Sequence, residues 1–164
     1  MATARLLHAK LIGMDEARLR LETFFEKYSA VVASGGRELL EKLEARVPGA
    51  TIMVYDNYNA LAIGFAAEDR VSAVVLSIAL YPKWINLFFM RGVELRDPHG
   101  LLKGEGSKVR HVPKVTGASL DDERIEALIS EALAIAQPPI DPAAPGKLLI
   151  KSVSAKQRPR RAAD

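Results

Sequence analysis

Between Thr51 and Met90, four strongly apolar stretches are separated by connections only a few residues long, and this spacing restricts the fold more than any other feature. Thr51–Tyr55 and Ala60–Phe65 flank Asp56-Asn57-Tyr58-Asn59, whose short polar side chains bond local backbone and favour a turn. Ala67–Arg70 leads into Val71–Leu80, and Tyr81-Pro82-Lys83 reverses the chain into Trp84–Met90. A parallel neighbour needs a crossover of about a dozen residues or more. These four segments therefore form an antiparallel meander, and Ser107–Val112 reads as a fifth strand beyond it.

The alternation within the strands divides the sheet into unlike faces. Leu61, Ile63 and Phe65, with Val74, Leu76, Ile78 and Leu80 and with Ile85, Leu87 and Phe89, make one uniformly bulky face that packs on helices. The opposite face holds Ala60, Ala62 and Gly64, then Ala73, Ser77 and Ala79, beside Trp84, Asn86, Phe88 and Met90. Its side chains are small instead of charged, which is unusual for a sheet surface meeting bulk water. Three readings follow: a helix packs closely there, a ligand pocket lies over it, or a second copy of the chain covers it.

Helices flank the meander. From Met14 to about Val32, Leu21, Phe24, Phe25, Tyr28, Val31 and Val32 recur at steps of three, four and seven, the signature of an amphipathic helix. The Ser34-Gly35-Gly36 break is expected to end it. A second helix runs from Arg37 to Val47 and stops at Pro48-Gly49. Asp97-Pro98 reads as a cap and first position of a short helix reaching Lys103. Ser119, followed by Asp121 and Asp122, opens a longer helix to about Ala136 with Ile125, Leu128, Ile129 and Leu133 inward. The predicted architecture is α+β: a mainly antiparallel sheet of four to five strands, two N-terminal helices and a later helix packed on it. Residues 1–136 form the single domain. Residues 137–164 are a linker with four prolines, an edge strand at Lys147–Val153 and a basic tail.

Composition removes several classes of function. The chain has 164 residues and no cysteine, so disulfides, thiolate metal sites and cysteine nucleophiles are excluded. Its longest apolar runs, Val71–Leu80 and Ile85–Met90, fall short of the roughly 20 residues of a membrane span. The opening residues lack a signal-peptide pattern, which gives a cytoplasmic expectation. The net charge of +3 is local: Lys147–Asp164 carries six basic residues and one acid. Such a tail can touch phosphate or another anionic surface weakly, and otherwise serves as a solvated end.

The stretch from Trp84 to Val112 places core residues next to polar chemistry. Val54-Tyr55-Asp56-Asn57-Tyr58-Asn59 with Leu61-Ala62-Ile63-Gly64-Phe65, Leu87-Phe88-Phe89 with Arg91-Gly92, Leu101-Leu102 with Gly104-Glu105-Gly106, and Val109-Arg110-His111-Val112 together resemble the YdhG-like bacterial domains of unknown function. The resemblance covers about Arg37 to Ala136. It implies an α+β domain with an antiparallel sheet. Some relatives are described as frataxin-like intracellular iron chaperones, which implies a hard cation on an acidic helix edge.

Candidate chemistry falls in four groups. Gly104, Gly106 and Ser107, followed by Lys108 and Arg110, read either as a plain strand start or as a loop whose backbone N–H groups meet an anion. The spacing matches no nucleotide loop. Arg91 and Arg110, at neighbouring strand ends, would either clamp a carboxylate or phosphate together or each bridge a nearby acid such as Glu94, Asp97 or Glu105. Tyr55, Asn57, Tyr58 and Trp84 supply apolar area with polar tips, suited to a pocket rim, and His111 stands beside Arg110. Asp121, Asp122, Glu123 and Glu126 are the weaker metal candidates; acids there also oppose the helix dipole. His8, His99 and His111 have no helical pairing, and no nucleophile elbow or paired-carboxylate spacing is present. The expected role is thus binding of a small, anionic ligand or a partner without catalysis. An iron-binding chaperone and a dimeric interaction protein are the alternatives.

Overall fold

In the computed structural model, which describes residues 16–163, the apolar stretches become β1 (Thr51–Asp56), β2 (Leu61–Ala66), β3 (Val74–Leu80) and β4 (Ile85–Phe89), each antiparallel to the next. β5 (Arg110–Val112) pairs with β4 and is shorter than the predicted Ser107–Val112 segment. The sheet has six strands in the order β5-β4-β3-β2-β1-β6, because β6 (Lys147–Val153) adds to β1 in parallel. The fold class is α+β, with a mixed sheet instead of a four- to five-stranded one. Residues 113–146 form a connection long enough to cross the sheet, and such a crossover permits parallel pairing.

The α-helices among the described residues lie on the bulky face. Residues 16–25 are helical (α1); the start predicted at Met14, and His8, lie outside the described residues. α2 is Ala30–Arg46 and α3 is Glu123–Ile135. Leu21, Phe25, Leu39, Leu43, Leu128 and Ile129 meet Leu61, Ile63, Phe65, Leu76, Ile78 and Leu87 in one buried cluster. Val74 is the exception to the predicted face. A bulge at Phe65/Ala66 pairs Val74 with Ala66 and sends Val75 into the core, so Val74 turns to the opposite side with Met53 and Ala73.

The helix boundary differs from the expected one. The chain breaks at residues 26–29, and α2 runs straight through Ser34-Gly35-Gly36. Ser29 is the cap: its Oγ accepts from the Val32 N–H at 3.3 Å. Gly36 is buried where a Cβ would stand 2.7 Å from Leu80 Cδ2 and 2.9 Å from Phe25 Cε1. Glycine there lets the helix approach the sheet and α1; it does not end the helix. Asp97–Lys103 is not helical either. The Asp97 carboxylate accepts from the Leu101 and Leu102 N–H groups at 2.8 and 2.9 Å, closing a loop whose backbone needs are met without a helix. Ser119 belongs to a 3-10 turn, Gly117–Asp121, and Asp122 caps α3.

Residues 154–161 depart from a solvated tail. They return along the β1–β2 turn, where the Ser154 N–H donates to the Asp56 carbonyl at 2.8 Å and the Arg158 N–H to the Tyr58 carbonyl at 2.9 Å. Arg160 is buried. No helix among the described residues is long and apolar enough to cross a membrane.

Candidate functional site

The sheet face opposite the helices is open, and its side chains form a trough. Its floor is low because β2 supplies Ala62 and Gly64 while β3 supplies Ser77 and Ala79 at paired positions. Taller side chains stand around it: Tyr55 on β1, Phe88 and Met90 toward β4, Val71 and Val74 at one end, Tyr58 and Tyr81 at the other. The hollow is open on its solvent side and has a volume of about 640 Å³, within the ordinary range for a small-molecule site. Its lining includes no charged residue. Tyr55 lines the hollow, while its hydroxyl is buried away from solvent with no hydrogen-bond partner among the described residues, and an unpaired buried hydroxyl costs about 1–3 kcal/mol. Of the three readings of the small face, close packing by a helix does not hold among the described residues.

The predicted site residues separate into groups. Tyr55, Asn57 and Tyr58 do line the hollow. Trp84 does not: it tilts against Tyr81, ring centroids 6.0 Å apart, and borders a different recess with Val31 and Lys114. The ring of His111 lies behind Phe88 at 5.1 Å, one strand outside the hollow, and its backbone pairs with Lys103. Gly104, Gly106 and Ser107 sit in an exposed loop beyond the sheet.

The arginines do not form a shared anion clamp. Arg91 makes a two-point bridge to Glu94, at 2.5 and 2.6 Å, and donates to the Ile135 carbonyl at the end of α3. That bridge raises the Arg91 guanidinium and lowers the Glu94 carboxyl from their ordinary values. Arg110 folds onto its own loop, donating to the Gly106 and Val109 carbonyls. Their backbones are close, since a Cβ on Gly92 would stand 2.4 Å from the Arg110 Cβ, yet the two side chains leave in different directions. Sequence proximity placed the strand ends and could not give the side-chain paths.

The acids near α3 are likewise engaged. Asp121 pairs with Lys42 at 3.2 Å, Asp122 with Arg124 at 2.7 Å and Glu126 with Arg46 at 2.7 Å, while Glu123 is exposed. The Arg124 side chain and N–H hold the Asp122 carboxyl down to about 2, and Arg46 lowers that of Glu126. No group of three or more potential metal-holding side chains occurs among the described residues.

A buried ionic cluster at the rim was missed by the sequence reading. Asp56 is fully buried, with Lys27 Nζ at 2.5 Å and Arg160 Nη2 at 2.9 Å. Gln157 accepts from Lys27 and donates to the Asp56 carbonyl, and Arg160 also donates to the Asn57 carbonyl. Burial pushes the Asp56 carboxyl up, but the hydrogen bonds and charge around it outweigh burial and hold it below its ordinary value. Tyr28, beside this cluster, donates to the Leu80 carbonyl and accepts from the Leu61 N–H; burial pushes its hydroxyl up to about 12. One signal was present in the sequence: Asp56 shares the inward register of Ile52 and Val54, and a carboxylate in that register requires a basic partner.

No family model matches the chain, and searches of curated proteins and of solved structures return no match.

Proposed function

We propose that this chain binds a small molecule in the hollow over the open sheet face. The observation that carries the reading is a low floor of Ala62, Gly64, Ser77 and Ala79 inside a wall of larger side chains, among them Tyr55, Tyr58, Tyr81 and Phe88. Such a site takes a mainly apolar body and gives it a few directional hydrogen bonds. The lining holds no histidine or carboxylate, and the Ser77 hydroxyl donates to the Ile78 carbonyl. The arginines expected to attract an anion stand outside the hollow, so the body held there is uncharged.

The test uses N-phenyl-1-naphthylamine, a neutral dye whose emission rises in apolar surroundings. Wild-type protein should bind it saturably, and Ala62→Trp, which fills the floor, should abolish binding while leaving the unfolding transition in place. Unchanged dye binding in Ala62→Trp would place the dye elsewhere and overturn the reading. Solution mass over a wide concentration range checks the competing occupant, since a dimer closed by this face would exclude the dye as it forms.

A further inference from the structure

Val71, Val74 and Met90 form one wall of the hollow. These three residues also line a second cavity of about 480 Å³, which continues around the end of the sheet toward the last turn of α3. Its walls are again mostly apolar, including Val109, Ala132 and Ile135, but here charge enters. Arg91 and Glu94 bond each other at two points and cancel. Lys108 lines the same cavity, and no carboxylate lies within ion-pair distance of it among the described residues. Glu94 feels the Lys108 charge, yet both its oxygens are held by Arg91. The Lys108 backbone is fixed, because its carbonyl accepts from the Val93 N–H at 3.0 Å.

An uncharged trough therefore borders, across Val71, Val74 and Met90, a second mostly apolar cavity whose Lys108 has no ion-pair partner among the described residues. We infer that the ligand is an elongated amphiphile with a single carboxylate, its apolar chain along the small-residue floor and its head group at Lys108. The inference rests on the binding reading above and names the ligand class of that site. A neutral head would gain nothing from the Lys108 ammonium, and a dianion would exceed the one lysine lining this cavity that has no ion pair among the described residues. The mainly apolar walls of both cavities favour a chain over a polar metabolite.

Displacement of N-phenyl-1-naphthylamine by dodecanoate and by dodecanol, each below its aggregation concentration and at low salt, separates the possibilities. On wild-type protein dodecanoate should displace the dye at a concentration at least about fivefold lower than dodecanol, the ratio expected of one partly exposed ion pair. Lys108→Gln, an exposed substitution that leaves the fold intact, should erase the preference and leave dodecanol unchanged. Ala62→Trp should prevent binding of both, with Ala79→Phe as a second floor-filling variant. Equal displacement by acid and alcohol, a preference that survives Lys108→Gln, or no displacement by either would overturn the amphiphile class. In those cases dye binding that is still lost in Ala62→Trp leaves the hollow as a small-molecule site. Absence of dye binding to wild-type protein removes both readings.

Discussion

Replacing Arg160 by methionine tests whether the C-terminal segment belongs to the folded structure. The guanidinium is 4% exposed and meets the fully buried Asp56 at 2.9 Å. A hydrogen bond to a charged group contributes about 1.5–3 kcal/mol. The stacking of Arg160 over Tyr28, 5.7 Å to the ring centroid, adds about 1 kcal/mol. Two effects oppose the loss. Asp56 keeps Lys27 at 2.5 Å, so its charge is not orphaned, and Arg160 Nε and Nη1 are buried without partners, a cost that the substitution relieves. The net loss for Arg160→Met should be about 2 kcal/mol. Asp56→Asn removes the carboxylate that, among the described residues, pairs with both bases, and should lose more, about 3–5 kcal/mol, because buried positive charge is left uncompensated. The double variant should lose clearly less than the two single losses together, since each single change leaves part of the cluster unpaired. Urea unfolding at neutral pH measures all three, with an unchanged denaturant slope as the check that the unfolded state is the same. A loss below about 0.5 kcal/mol for Arg160→Met, together with simple additivity, is the behaviour of a surface residue and would refute the buried pairing.

Further expectations concern the helix glycines and the titrating groups. Gly36→Ala should destabilise by about 1–2 kcal/mol, because overpacking against Leu80 and Phe25 exceeds the helix propensity gained. Gly35→Ala, whose Cβ would meet only Ile85 Cδ1 at 3.5 Å, should stabilise by about 0.5–1 kcal/mol; thermal unfolding of the two variants distinguishes a helix through this pair from a break at it. The Asp56 carboxyl is lower in the folded state than in the unfolded chain. Its stabilisation is therefore complete above the ordinary value of about 4 and is lost as pH falls through the folded value. The stability difference between wild type and Asp56→Asn should shrink on acidification; a constant difference would contradict the shift. The Tyr28 hydroxyl, raised by burial to about 12 and partly opposed by Arg160, is the opposite case. Its contribution is present below about 10 and is lost as pH rises toward 12, so tyrosinate absorbance in Tyr28→Phe should lack the last step of the wild-type titration.

Much of the fold can be read from local pattern. The meander followed from connections too short for crossovers, and the inward register of Leu61, Ile63, Phe65, Leu76, Ile78 and Leu87 followed from alternation with period two. The hollow was legible as a contradiction in that alternation: a face of alanine, glycine and serine where solvent-facing residues were due. Tyr55, Asn57 and Tyr58 line the hollow because they lie on or beside the strands forming that face. Arg91, Arg110 and Trp84 lie apart from the hollow because strand position fixes where a long side chain begins and leaves its end to competing partners, here Glu94, the Gly106 carbonyl and Tyr81. Gly35-Gly36 misled for a related reason. Glycine ends a helix when the backbone must reverse, but within a helix it also permits close approach, and only the neighbouring Leu80 and Phe25 distinguish the two uses.

The sequence by itself determined the α+β class, the antiparallel order from β1 to β4 and the bulky side of the sheet, since each depends on contacts between segments close along the chain. Tertiary structure decided that β6 pairs in parallel with β1, that Arg160 lies buried against Asp56, and that the small-residue face stays uncovered among the described residues. These last features join residues as distant as Lys27 and Gln157. Their geometry is fixed by which buried charge finds a partner and which apolar surface is covered first, and no local periodicity records either outcome.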